Sequence, residues 1–173
     1  MSIIDCLKYK HLSDHFSVAE LTKTSFKTSG GNIPNGTSLR NLTRLCRCWL
    51  EPLRQRYNQR YSLKPDEDYA TSQNVEGIVI NHGFRSHEVM ERMRRAGYHP
   101  SSTSNHFTGC AVDIGCLGFE QAIRYACILI DIADEFHQDY DELFIEQNDK
   151  GTYWIHLAAR PGDNRRKHGF LRG

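Results

Sequence analysis

Apolar residues recur at steps of three and four through Leu39, Leu42, Leu45, Trp49, Leu53 and Tyr57. This spacing predicts one face of an amphipathic helix, with Thr37 or Ser38 as its N-cap. Pro52 falls inside the pattern, so the helix is expected to kink or break there. A second helical pattern runs from Phe119 to Phe136 through Ile123, Ala126, Cys127, Ile130 and Ala133. Two shorter helices are expected, one starting in HFSVAELTKTS and one capped by Ser86, running from His87 to about Ala96 and ended by Gly97. Elsewhere the period falls to two. Ile78, Val79 and Ile80 read as a short buried strand, and residues 106–115 as strand and turn. LFIE and YWIHLA read as two strands joined by NDKG, which supplies hairpin turn chemistry. TSGGNIPNG, KPDEDYATSQNVEG and YHPSSTSN are loops by composition. The tail PGDNRRKHGFLRG is expected to be loose. Helices and strands mix without regular alternation. The expected class is therefore α+β, with a small, largely antiparallel sheet packed against helices.

A length of 173 residues suits a single domain over 1–173, and 39% hydrophobic with 25% charged residues is ordinary for a globular chain. The net charge of +1 gives no support for nucleic-acid binding by bulk electrostatics. Arg92, Arg94 and Arg95, and again Arg165, Arg166 and Lys167, are read as a solvated face and a solvated tail. A nucleic-acid binder using them is the weakest reading of the chain. The start, MSIIDCLKYKHLSDHF, shows no signal-peptide pattern, and no segment has the apolar run that spans a bilayer. The chain is expected to be cytoplasmic as synthesised, with any release to a cell wall left to another factor, and a monomer is the default. Six cysteines, at 6, 46, 48, 110, 116 and 127, are scattered through apolar segments and are read as reduced and structural.

SNHFTGCAVDIG carries the candidate chemistry. His106 and Asp113 are both ligand types for a divalent metal such as zinc, and the small residues between them leave room for a substrate. Gly109 lets the chain turn between the two. A catalytic zinc site needs a third protein ligand, and His156 is the best candidate. In Trp154–Ala158, alternation sends Ile155 and Leu157 to the core and His156 to the opposite face. In the preceding strand Phe144 and Glu146 share a face. A hairpin centred near Gly151 would set Glu146 roughly across from His156, on the same face. A carboxylate there could serve as general base. Glu142 and Asp149 are weaker candidates for that role.

These residues carry a resemblance. Ser104-x-His106-x-x-Gly109-x-Ala111-x-Asp113 resembles the S-x-H-x-x-G-x-A-x-D signature of the D-alanyl-D-alanine carboxypeptidase family of zinc peptidases, which shares its fold with the signalling domain of hedgehog proteins. Gly83-Phe84-Arg85-Ser86 is similar to its S-G-Y-R-S segment, and Trp154-Ile155-His156-Leu157 to its W-V-H segment. HFSVAELTKTS, NIPNG and NLTRLCRCWLEPLR resemble the N-terminal part of its bacterial and phage branch. Residues 15 to 160 are covered. The resemblance implies one zinc ion on His106, Asp113 and His156, and a substrate carbonyl or carboxylate held by Arg85. It also implies Ser104 orienting His106 or touching substrate, and Glu146 as general base. The implied substrates are peptides with D-amino acids, chiefly in bacterial peptidoglycan, cut by a carboxypeptidase or an endopeptidase. The chain departs from the pattern in three places. Asn81-His82 precede Gly83 in place of serine, and Ala96-Gly97-Tyr98 stands where many relatives have Gly-Gly. Tyr153 occupies the position, three before the last histidine, where some relatives carry their acid. A zinc-stabilised binding module without turnover is the alternative, because fold alone does not fix function.

Overall fold

A computed structural model describes residues 10–172, so Cys6 and the start of the chain lie outside the described residues. Helix α1 is the single turn Val18–Leu21, opened by a capping box in which Ser17 and Glu20 satisfy each other's backbone N–H groups. Helix α2 spans Gly36–Leu45, continues as a π-helical turn over Cys46–Leu50, and becomes α3 over Glu51–Tyr61. Asn35 caps α2 by accepting from the Ser38 N–H, in place of the expected Thr37 or Ser38. An Asn side chain reaches the N3 amide from one turn further out.

Pro52 shapes the middle of this long helix without ending it. It has no N–H to donate to Cys48, and its ring would clash with that carbonyl. The chain answers with an i→i−5 bond from Glu51 N–H to the Cys46 carbonyl. The freed Cys48 carbonyl accepts from the Gln138 side chain at 2.9 Å.

Strand β1 (Ile80–His82) is followed by helix α4 (His87–Arg95), which Ser86 caps and which ends at Gly97 with φ 87°. A 3-10 turn (Asn105–Thr108) leads into β2 (Ala111–Cys116), then helix α5 (Phe119–Glu135). Strands β3 (Glu142–Gln147), β4 (Tyr153–Ala158) and β5 (Lys167–Arg172) complete the chain. The five-stranded sheet has the order β1-β2-β4-β3-β5, antiparallel except for the parallel pair β3/β5. This is the α+β class with a mostly antiparallel sheet. No helix among the described residues is long and apolar enough to cross a membrane.

Three expectations are corrected. First, the α5 helix exists, but its core face is Ala122, Tyr125, Ile128, Leu129, Ile132 and Ala133, while Ile123 and Cys127 are exposed. Glu120, Gln121, Arg124, Asp131, Asp134 and Glu135 fall on the opposite side, but the apolar arc is wider than the packed face, so docking on the sheet selects which part is buried. Second, the strand near Ile78 starts later, and Val79 is 62% exposed. Third, the residues from 167 are not loose but form β5. Its amides find partners on β3, and Arg165 and Arg166 are ion-paired to Asp141, Glu142, Asp134 and Asp139. The basic residues Arg92, Arg94 and Arg95 of α4 are exposed, a solvated face as expected. Arg92 and Arg94 pair with Glu88 and Glu91.

Core residues from α2, α3, α5 and the inner face of the sheet pack around Trp49, Leu53, Ile128, Ile155 and Leu157. Five cysteines, 46, 48, 110, 116 and 127, are free thiols. Burial first, with Glu51 and Glu20 adding to it, pushes the Cys46 thiol far up, as expected of an inert core thiol.

Gly109 closes the 3-10 turn in the left-handed region at φ 72°, and a Cβ there would lie 2.5 Å from the Ser38 carbonyl oxygen. Substituting Gly109→Ala is expected to cost on the order of 1–3 kcal/mol from backbone strain, and more from the clash. A urea midpoint unchanged from wild type would contradict this packing.

Candidate active site

Each site residue is placed by a different element. His106 lies on the 3-10 turn, not on extended chain as the sequence pattern suggested, and is 3% exposed. Ser104 caps that turn by accepting from the His106 N–H at 3.4 Å. Asp113 lies on β2 and His156 directly opposite on β4. Gly83, at the end of β1, approaches so closely to α1 that a Cβ would meet the Leu21 carbonyl oxygen at 2.3 Å. Phe84 N–H donates to that same carbonyl, and Arg85 N–H to the His106 carbonyl. The Gly83–Arg85 segment is thus clamped between α1 and the 3-10 turn.

The three expected ligands come together. Among the described residues, His106, Asp113 and His156 form the group able to hold a metal ion, with one ligand atom from each, all within 4.8 Å of one another. His106 Nδ1 lies 2.6 Å from the Gly83 carbonyl oxygen. A carbonyl only accepts, so Nδ1 carries the hydrogen and the lone pair of the neutral ring is on Nε2. That Nε2 is 3.3 Å from Asp113 Oδ1. His156 Nδ1 is 2.9 Å from the same oxygen. Asp113 Oδ2 takes Arg85 Nη2 at 2.9 Å and faces His82 Nδ1 at 3.6 Å. One carboxylate oxygen is therefore turned to the two histidines and the other is held by the Arg85 guanidinium, with His82 beside it.

The donor set can hold a divalent metal ion, and zinc is among those it fits. Bonds of about 2.0–2.2 Å in a tetrahedron place donors about 3.3 Å apart, the separation seen between His106 and Asp113. Two imidazoles and a carboxylate suit a divalent metal ion, zinc among them, and His106 already has the outer hydrogen bond that fixes its tautomer.

The electrostatics follow from burial and partners. Burial pulls His106 below the usual imidazole range, against the pull of Asp113. Burial opposes ionisation of Asp113, but His106, His156 and His82 outweigh it and hold the carboxyl well below its usual range. Burial also opposes charge on His156, yet hydrogen bonds to Asp113 and Glu142 raise it to about 9.

The hairpin register differs from the expected one by a single step per strand. Phe144 is opposite His156, and Glu146 is opposite Trp154. The shift preserves parity, so Glu142, Phe144 and Glu146 all share the face of His156. The histidine is flanked diagonally by two carboxylates, one on each side. Their environments diverge. Burial raises Glu146, with His156 pulling the other way. Glu142 is lowered by its bond to His156, and further by Arg165 and Asn105. Carboxylates whose affinities for protons are pushed apart are suited to different roles, the raised one to proton transfer and the lowered one to fixed charge.

These groups line a cleft of about 920 Å³ with Arg85, Ser104, Trp154, Tyr98 and Asn81 on its walls. The Gly83 carbonyl and the buried Asp141 beside Glu142 were not legible as site residues. A backbone acceptor leaves no residue-type signal, and Asp141 is marked only by the arginines that reach it from beyond β4.

The chain matches no protein-family model and no curated protein.

Proposed function

We propose that this chain is a zinc-dependent peptidase with the fold shared by D-alanyl-D-alanine peptidases and hedgehog domains, hydrolysing peptide bonds that involve D-amino acids, as in bacterial peptidoglycan. The observation that carries the reading is the convergence of His106, Asp113 and His156 in one open cleft, with Glu146 on the same face. The substrate class rests on the resemblance of the Ser104–Asp113 and Gly83–Ser86 segments.

Bound zinc would supply Lewis acidity, lowering the pKa of a water toward about 7 and polarising the scissile carbonyl. Glu146, protected from ionising too readily by burial, would take a proton from the attacking water and pass it to the leaving amine. Asp113, anionic and backed by Arg85 and His82, would supply the carboxylate ligand at neutral pH. Arg85 uses one of its five N–H groups on Asp113, leaving others for a substrate carbonyl or carboxylate. Ser104 holds the turn that carries His106.

The test is digestion of purified muropeptides by the zinc-loaded protein, read by mass spectrometry. Release of D-alanine supports a carboxypeptidase and split cross-links support an endopeptidase. Zinc bound without cleavage of any muropeptide would replace the enzyme by a zinc-stabilised binding module. His106→Ala is expected to lose both zinc content, by atomic emission, and hydrolysis. Hydrolysis that survives loss of the metal would overturn the metal-dependent mechanism.

A further inference from the structure

Both metal-site histidines need an outer acceptor, and they find it differently. His106 gives its Nδ1–H to the Gly83 carbonyl, a group fixed by the backbone. His156 turns Nδ1 to Asp113 and Nε2 to the Glu142 side chain, 3.4 Å away. A ligating imidazole uses one nitrogen as the donor to metal and must place the N–H of the other on an acceptor, which sets the tautomer and ring angle. Asp113 is itself a ligand, so Nδ1 is on the metal side and Glu142 is the acceptor for Nε2–H. A side-chain acceptor can rotate, and it orients a ring only if something holds it.

Glu142 is held from both oxygens. Oε1 accepts from Arg165 Nη2 at 2.6 Å, and Oε2 from Asn105 Nδ2 at 3.2 Å. Arg165 is fixed in turn by Asp141, through Nε at 2.7 Å and Nη2 at 2.6 Å, a two-pronged contact with a fully buried carboxylate. Asn105 also donates to Asp141 at 2.8 Å and directly precedes His106. The two histidine ligands are therefore tied to one polar network, whose cation comes from the segment after β4.

We propose that Glu142, held by Arg165 and Asn105, is the positioning residue for His156, and that the segment after β4 is thereby a working part of the metal centre. The proposal rests on the metal reading given above. None of the three touches substrate in this role. Each acts through the orientation of His156.

The experiment compares full-length wild type, Glu142→Ala, Glu142→Gln and Arg165→Ala. Zn²⁺ affinity is measured by competition with a chromophoric chelator, and ligand geometry by the visible absorption of the Co²⁺-substituted protein. Thermal unfolding of the metal-free variants reports separately on folding. Glu142→Ala is expected to bind Zn²⁺ about 10- to 100-fold more weakly and to change the Co²⁺ band. Glu142→Gln keeps an acceptor oxygen and is expected to recover most of the affinity and the wild-type band. Arg165→Ala is expected to shift both readouts in the same direction as Glu142→Ala, by less. A folded Glu142→Ala with wild-type affinity and spectrum would overturn the positioning role. So would a Glu142→Gln no better than Glu142→Ala, since orientation by an acceptor would then not be the cause. A wild-type chain that takes up neither Zn²⁺ nor Co²⁺ would instead overturn the metal reading itself, and the inference with it.

Discussion

Glu146→Gln is expected to leave zinc binding intact and to lower hydrolysis by about 10²- to 10⁴-fold, the usual contribution of a positioned general base. Two carboxylates flank His156, and the prediction depends on choosing between them. Glu142 has its oxygens committed to Arg165, Asn105 and His156, which lower its proton affinity. It is a poor proton carrier. Glu146 has its affinity raised, first by burial and further by the charge of Asp113. It stands opposite Trp154 on the cleft wall. The sign of the pH dependence follows. A base works only when deprotonated, so kcat/KM should rise with pH through the Glu146 pKa. That limb should lie above the ordinary carboxylate range and be absent in Glu146→Gln. Full activity in Glu146→Gln, measured as initial rates on a muropeptide at equal zinc content, would remove Glu146 from the mechanism.

Asp141→Ala is expected to destabilise the fold by roughly 1–3 kcal/mol, because it removes a buried carboxylate that accepts several charge-assisted hydrogen bonds. Asp141 is 0% exposed. It accepts from Arg165 through Nε, Nη2 and the backbone N–H, from Arg160 Nη2, and from Asn105. Its own carbonyl accepts from the Lys167 N–H at the start of β5. Burial alone would raise its carboxyl, but the bonds from Arg165 and Asn105 prevail and hold it at about 2, below the reference value of 3.8. A depressed carboxylate stabilises the fold above its unfolded pKa. This contribution should be complete above about pH 5 and be lost as pH falls toward 2. The wild type should therefore lose stability in that acid window, and Asp141→Ala should show a shallower slope there. Urea unfolding across pH measures both. Hydrogen exchange should show residues 167–172 losing protection in the variant. An unchanged midpoint with β5 still protected would mean that the parallel ladder to β3 suffices to hold the strand.

The sequence by itself determined much about this protein, where local chemistry decides. Ser86 and Gly97 bound α4 because capping involves only neighbouring backbone groups. The turn NDKG joins β3 and β4, and the alternation in Trp154–Ala158 sends Ile155 and Leu157 inward and His156 to the cleft. The grouping of His106, Asp113 and His156, which could hold a metal ion, was legible because few residue types bind metal and their spacing is distinctive. Tertiary structure decided what depends on distant partners. The sheet beneath α5 chooses which part of it is buried, since its apolar arc is wider than the face that packs. The helix through Pro52 survives because Gln138, just beyond the end of α5, satisfies the carbonyl that proline leaves free. Residues 167–172 form a strand only because β3 offers a free edge and Asp141 anchors the arginine before it. The hairpin register, one step from the expected one, places Glu142 and Glu146 on either side of His156. Their different partners then separate their proton affinities, which depends on burial and charge arriving from elsewhere in the chain.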